Sequence, residues 1–154
     1  MKKVLVLMAM IAMTISLAAQ TSQPYSQWYG YNKTFDNYTL HSEVQVKAPG
    51  NSDVVVIIKE NNKDGVVAGH RFISRGMTGS IPLSNGTYQV FFYHGTAWSS
   101  QLDMGNGLKG GFTKGVYYSK DNPVQLNNNI LTYELILQRN GNFSTKTSNK
   151  NEVF

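Results

Sequence analysis

From Leu40 to Lys47 the chain alternates without a break, with Leu40, Ser42, Val44 and Val46 on one side and His41, Glu43, Gln45 and Lys47 on the other. A period of two sends neighbouring side chains to opposite faces of a sheet, so this run predicts a half-buried strand. Ala48-Pro49-Gly50-Asn51 breaks it. Val54 to Ile58 has a different pattern, five consecutive β-branched residues, and predicts a central strand covered on both faces. Asn61-Asn62-Lys63-Asp64-Gly65 then turns the chain into a partner strand over Val66 to Ser74, Asp-Gly being suited to the positive φ of a hairpin.

Turn chemistry recurs at Gly76 to Gly79 and at Asn85-Gly86. Thr87 to His94 follows as the strongest strand signal, with Tyr88, Val90 and Phe92 facing one way and Phe91 and Tyr93 the other. Ile130 to Gln138 predicts a long strand, and Arg139-Asn140-Gly141 a hairpin onto Asn142 to Ser148. The tail, Asn149 to Phe154, is expected to be loose. Six or seven short strands without a helical crossover predict an all-β domain over residues 40–148, an antiparallel β-sandwich of Ig-like or transthyretin-like type, with a small β-barrel as the alternative.

The first residues follow another pattern. Lys2 and Lys3 precede an almost wholly apolar run, Val4 to Ile15, and Ser16-Leu17-Ala18-Ala19 supplies the small residues that a signal peptidase accepts. This predicts a cleaved signal peptide over residues 1–19, and therefore a secreted or periplasmic protein with no membrane span in its mature form. No Cys stands near the cleavage site, which excludes lipoprotein processing. Residues 20–39 follow as an arm rich in aromatics, among them Tyr25, Trp28, Tyr29 and Tyr31.

One stretch resembles a known fold family. Asp64-Gly65 opens a strand, and Ile81-Pro82-Leu83-Ser84-Asn85-Gly86-Thr87-Tyr88-Gln89-Val90 runs on into Phe91-Phe92-Tyr93-His94-Gly95. This order of Pro, turn Gly, Tyr, alternating strand and Gly is similar to the hairpin of carboxypeptidase-regulatory-like and PEGA-like sandwich domains. The resemblance covers residues 54–95, and the strand before it lacks the family's small-residue run. It implies an accessory module without catalysis of its own, and it carries over no functional residue.

Composition narrows the chemistry further. The chain has no Cys, which removes thiol catalysis, disulfides and Cys-based zinc sites. Two of its 14 Lys and Arg lie in the signal segment, leaving 12 against 9 acidic residues, too mild and scattered a balance for nucleic acid. Gly105-Asn106-Gly107-Leu108-Lys109-Gly110 matches the dinucleotide fingerprint in its glycines, but Gly111-Phe112-Thr113-Lys114-Gly115 supplies no helix after it. Glu60 to Gly65 resembles the start of a calcium loop, and the position of the bidentate Glu is Arg71. His41, His70 and His94 have no metal-ligand spacing, and no nucleophile elbow is present. Asp103, Asp121 and Glu134 could supply the acids of a glycan hydrolase, although their spacing favours no pair. The sequence thus implies no enzyme, no cofactor and no metal.

What remains is the segment 95–129, expected to be a long loop, with aromatics set among glycines. Long loops in compact domains are often functional. Trp98, Phe112, Tyr117 and Tyr118, with Lys109 and Lys120, are the expected ligand contacts, because flat rings stack on sugars or anchor protein partners and glycines allow close approach. The expected role is therefore a binding module for a polysaccharide or a protein partner. The alternatives are a self-associating surface protein and, least favoured, a small glycan hydrolase. The competing reading of the loop aromatics is a structural cap folded over one end of the domain.

Overall fold

The computed structural model describes residues 41–62, 65–105, 107–136 and 146–154. The signal segment, the aromatic arm and the hairpin expected at Arg139-Asn140-Gly141 lie outside these residues.

The described chain is all-β apart from one short C-terminal helix. Strands β1 (Ser42–Lys47), β4 (Thr78–Leu83) and β8 (Ile130–Glu134) form a small sheet in the order β4-β1-β8. Strands β2 (Asp53–Glu60), β3 (Val67–Ile73), β5 (Gly86–Gly105), β6 (Leu108–Lys120), β7 (Val124–Leu126) and β9 (Lys146–Thr147) form a larger sheet. Its order is β3-β2-β5-β6-β9, with β7 beside the start of β5. Neither sheet closes into a barrel.

The two sheets share one core. Val44, Val46, Ile81, Leu83, Tyr133 and Leu135 from the small sheet meet Val54, Val56, Ile58, Val90 and Phe92 from the large one. The expected alternation of β1 is present, with Ser42, Val44 and Val46 buried and Lys47 exposed. Strand β2 lies between β3 and β5, and Val54 to Ile58 are fully buried, as five β-branched residues covered on both faces must be.

Pairing differs from expectation in two places. β8 runs parallel to β1, Glu43 opposite Ile130 and Lys47 opposite Glu134, so the sheets are not wholly antiparallel. β9 pairs with β6, Ser119 opposite Thr147, rather than returning along β8. Residues after β9 are ordered against the body. Helix α1 (Lys150–Val153) starts at Asn149, whose side chain caps the Glu152 N–H, and Val153 is fully buried. The tail expected to be loose holds because its two final residues are apolar and have a face to cover.

Candidate functional site

The segment 95–129 is not a loop. β5 continues through Gly105, and the chain returns as β6 and then β7, giving a long hairpin with Gly107 at its tip in positive φ. Glycines and polar residues hid the strand because the irregular spacing removes the period-two signal. The pairing slips between His94 and Thr96, between Ser99 and Asp103, and between Asp103 and Gly105, while Ala97 takes a φ of 54°. Each slip adds local bend and twist.

The accumulated bend rolls the outer half of the hairpin back over its own sheet. In a flat sheet β6 and β3 would stand about 14 Å apart, three strand spacings. The ring of Phe112 on β6 instead lies 6.0 Å from Phe72 on β3, and Trp98 lies 5.9 Å from Phe72. Two glycines permit the approach: a Cβ on Gly95 would collide with Phe112, and one on Gly111 would stand 2.6 Å from Met104 Sδ. The Tyr93 hydroxyl accepts the Phe112 N–H at 2.7 Å. Tyr118 stacks on Tyr93 at 4.8 Å and 6°, and Phe154 meets Tyr93 edge-on. Helix α1 is tied down by Glu152, which accepts from Lys120 at 2.8 Å and from Ser148 at 2.7 Å. The Lys120 ammonium, then the Ser148 hydroxyl, hold the Glu152 carboxyl below its usual range. Lys59 Nζ reaches the Glu152 carbonyl at 2.9 Å.

The expected contact residues are therefore divided. Phe112 is 1% exposed and belongs to the outer core, so it offers no face to a ligand. Trp98 and Tyr118 are half-buried in the same cluster, and Lys120 is engaged with Glu152. Lys109 is exposed near the hairpin tip. Tyr117 alone of the four aromatics is turned to solvent, at 43% exposure, and it faces the other way. It stands opposite His94 in register, the rings 6.0 Å apart.

Tyr117 marks one end of the two-sheet body, where the 48–52 and 74–77 turns, the close of β8 and the bend of β5 come together. Four of the six large apolar side chains exposed among the described residues lie here: Met77 (61%), Val116 (43%), Tyr117 and Ile136 (63%). Two ion pairs lie at this end, Arg75 with both carboxylate oxygens of Asp53 and Lys47 with Glu134. Beneath them His94 is 4% exposed, and burial pushes its imidazole down to about 4, so it is neutral at pH 7. Sequence reasoning weighed His94 only as a metal ligand, although the alternation Tyr88, Val90, Phe92 already put it on the inner face.

The opposite end exposes Ile130 and Val66, but its Asn-rich turns are closed upon themselves. Asn85 Oδ1 accepts from Ser42 Oγ and from the Asn128 N–H, both at 2.8 Å, and Asn85 Nδ2 donates to Asn128. Asn129 Oδ1 accepts the Asn127 N–H at 2.7 Å.

Nothing among the described residues gathers three metal-ligating side chains. The three acids considered for hydrolysis are each engaged separately. Asp103 accepts the Gly105 N–H at the hairpin tip, Asp121 accepts the Tyr133 hydroxyl at 2.9 Å, and Glu134 pairs with Lys47. No helix among the described residues is long and apolar enough to cross a membrane. No protein family, curated protein or solved structure matches the chain.

Proposed function

We propose that this protein is an exported, non-catalytic binding module on an Ig-like or transthyretin-like β-sandwich, and that it takes a polysaccharide at the end carrying Tyr117. The observation behind this reading is the contrast between the two ends. One satisfies its Asn side chains internally. The other gathers exposed apolar side chains, one of them an aromatic ring, beside two ion pairs. Clustered apolar exposure of this kind marks interaction sites. A pyranose has apolar C–H faces that suit a tyrosine ring and a hydroxyl edge that needs polar partners. Export rests on the leader pattern of residues 1–19.

The test is an array of glycans and envelope polysaccharides probed with the purified protein and with Tyr117→Ala, whose fold is first checked by circular dichroism. Binding that Tyr117→Ala loses, and that Ile130→Ser at the far end keeps, is the expected outcome. A blank array removes the polysaccharide. A protein ligand is the second reading, favoured by the exposure of Met77 and Ile136. It predicts an envelope partner whose affinity falls in Met77→Ser and Ile136→Ser. Self-association along strand edges has less support. Pro82 stands inside the edge strand β4, and β6 is bent by the positive φ of Gly115, both of which blunt an edge.

A further inference from the structure

Gly95 on β5 turns toward the outer face, where a Cβ would collide with Phe112. Its neighbours His94 and Thr96 therefore turn the other way, because successive residues of a strand alternate. Their partners across the β5–β6 pairing are Tyr117 and Lys114, and residues directly opposite in an antiparallel pair share a face. Three steps along β6 thus match two along β5, and the extra residue is taken up beside Gly115, whose φ is 58°. The bulge keeps Tyr117 and Lys114 on one side at about 7 Å, the length of two strand residues. A Cβ on Gly115 would meet nothing within 4 Å, so the backbone between the two is bare. Both side chains reach solvent. Tyr117 is 43% exposed, and Lys114 is exposed and forms no ion pair among the described residues.

We propose that Tyr117 and Lys114 form a surface site for an anionic pyranose, the ring taking the C–H face of the sugar and the ammonium its carboxylate or sulfate. This rests on the binding-module reading and narrows its ligand class. Arg75 and Lys47, the other cations described at this end, already hold Asp53 and Glu134, so Lys114 is the one placed to meet a ligand's charge. An equatorial acidic substituent leaves a pyranose in the plane of its ring. A sugar lying flat on Tyr117 therefore carries its charge sideways along the strand, toward the lysine and not into the protein. The lysine is a flexible stem ending in a point charge, which covers the remaining distance and accepts either acid. The charge of the exported chain acts in the same direction. Beyond the signal segment 12 Lys and Arg stand against 9 acidic residues, an excess that attracts a polyanion.

The experiment is calorimetric titration of the purified protein at pH 7 and low salt with three ligands of related ring: oligogalacturonate, sulfated galactan oligosaccharides and neutral galacto-oligosaccharides. An anionic ligand should bind about fivefold more tightly than the neutral one, the most that an exposed ion pair contributes, and the margin should close in 1 M salt. Whether the carboxylated or the sulfated ligand is preferred names the acid. Lys114→Gln should erase the margin, while Lys146→Gln, which removes an exposed cation on β9, should leave it intact. Both positions are on the surface, so both variants fold. Equal losses in Lys114→Gln and Lys146→Gln assign the preference to overall charge; they overturn this site and spare the module. Neutral sugar bound as tightly as the anionic ones, with Lys114→Gln unchanged, does the same. Absence of binding to every sugar overturns both.

Discussion

The inner face of the large sheet is mostly aliphatic and meets a second sheet, whereas its outer face is largely aromatic and meets its own hairpin rolled back over it. Val54, Val56, Ile58 and Val90 line the first; Tyr93, Phe112, Trp98 and Tyr118 line the second. Branched aliphatic side chains pack on a regular pleated surface. The outer layer depends on close approaches at Gly95 and Gly111 and on successive slips in pairing. Its rings are consequently structural, and the exposed apolar side chains gather instead at an end of the body that neither layer covers.

The sharpest way to break this comparison is to remove one large ring from each face. Phe92→Ala in the inner core and Phe112→Ala in the outer one should each cost about 3–5 kcal/mol, measured by urea unfolding. Trp28→Phe leaves Trp98 as the reporter of the outer layer, while far-UV circular dichroism reports the sheets. The two transitions should coincide, because β5 and β6 belong to both layers. An outer layer that melts first, with Phe112→Ala costing under half as much as Phe92→Ala, would make it a loose cover and restore its aromatics as candidate contacts.

Acid should act on both faces, and more on the inner. Burial holds His94 at about 4, below its ordinary 6.5, and lowers His70, which shares the outer face with Ile57. The unfolded chain therefore takes up a proton first as pH falls. Stability owed to neutral His94 is intact above pH 6.5, declines between 6.5 and about 4, and levels below that, a loss of up to about 3 kcal/mol. Carboxylates act lower. Ser80, then Gln45, hold Glu43 below its usual range by hydrogen bonding, so its contribution is present above 4.5 and lost as pH falls below that. His94→Asn should flatten the stability profile between pH 6.5 and 4 more than His70→Asn does. Equal flattening would place the two imidazoles in equivalent surroundings, contrary to the structure.

The contrast also explains what could be read from the sequence. Strand β1 and the first half of β5 alternate and β2 is an unbroken β-branched run, so their faces and burial followed directly. The second half of β5 and β6 have no such pattern, since every bulge shifts the phase and glycine adds no hydrophobic signal; a strand pair therefore resembled a loop. Phe112 looked like a surface anchor for the same reason, although its neighbour Gly111 is small to let Tyr93 and Met104 come close. The site depends on which turns meet at one end. Met77, Tyr117 and Ile136 belong to three separate segments, and no local pattern joins them.

Removing Val153 and Phe154 should have a smaller effect, confined to the outer face. It uncovers Tyr93 and Tyr118 and forfeits the burial of one fully buried valine and one half-buried phenylalanine, about 2–3 kcal/mol at ordinary transfer values. Hydrogen exchange should rise at Tyr118 and Ser119 and stay unchanged at Val44 and Val46. Faster exchange at β1 would mean that the two faces are coupled more tightly than their separate clusters imply.

The outward side of the small sheet supplies the baseline for both covered faces. Glu43, Gln45 and Lys47 alternate there with the buried residues of β1, and Lys47 Nζ lies 2.7 Å from Glu134 Oε1. Both side chains are more than half exposed, so solvent screens the pair and ordering two flexible side chains offsets most of the attraction. Lys47→Ala should therefore change stability by no more than about 1 kcal/mol, and the difference should shrink further in 1 M salt. Urea titrations at low and high salt measure this directly. A loss above about 2 kcal/mol that persists in salt would mean that this side is covered too, and the end bearing Tyr117 would no longer be the distinct surface of the molecule.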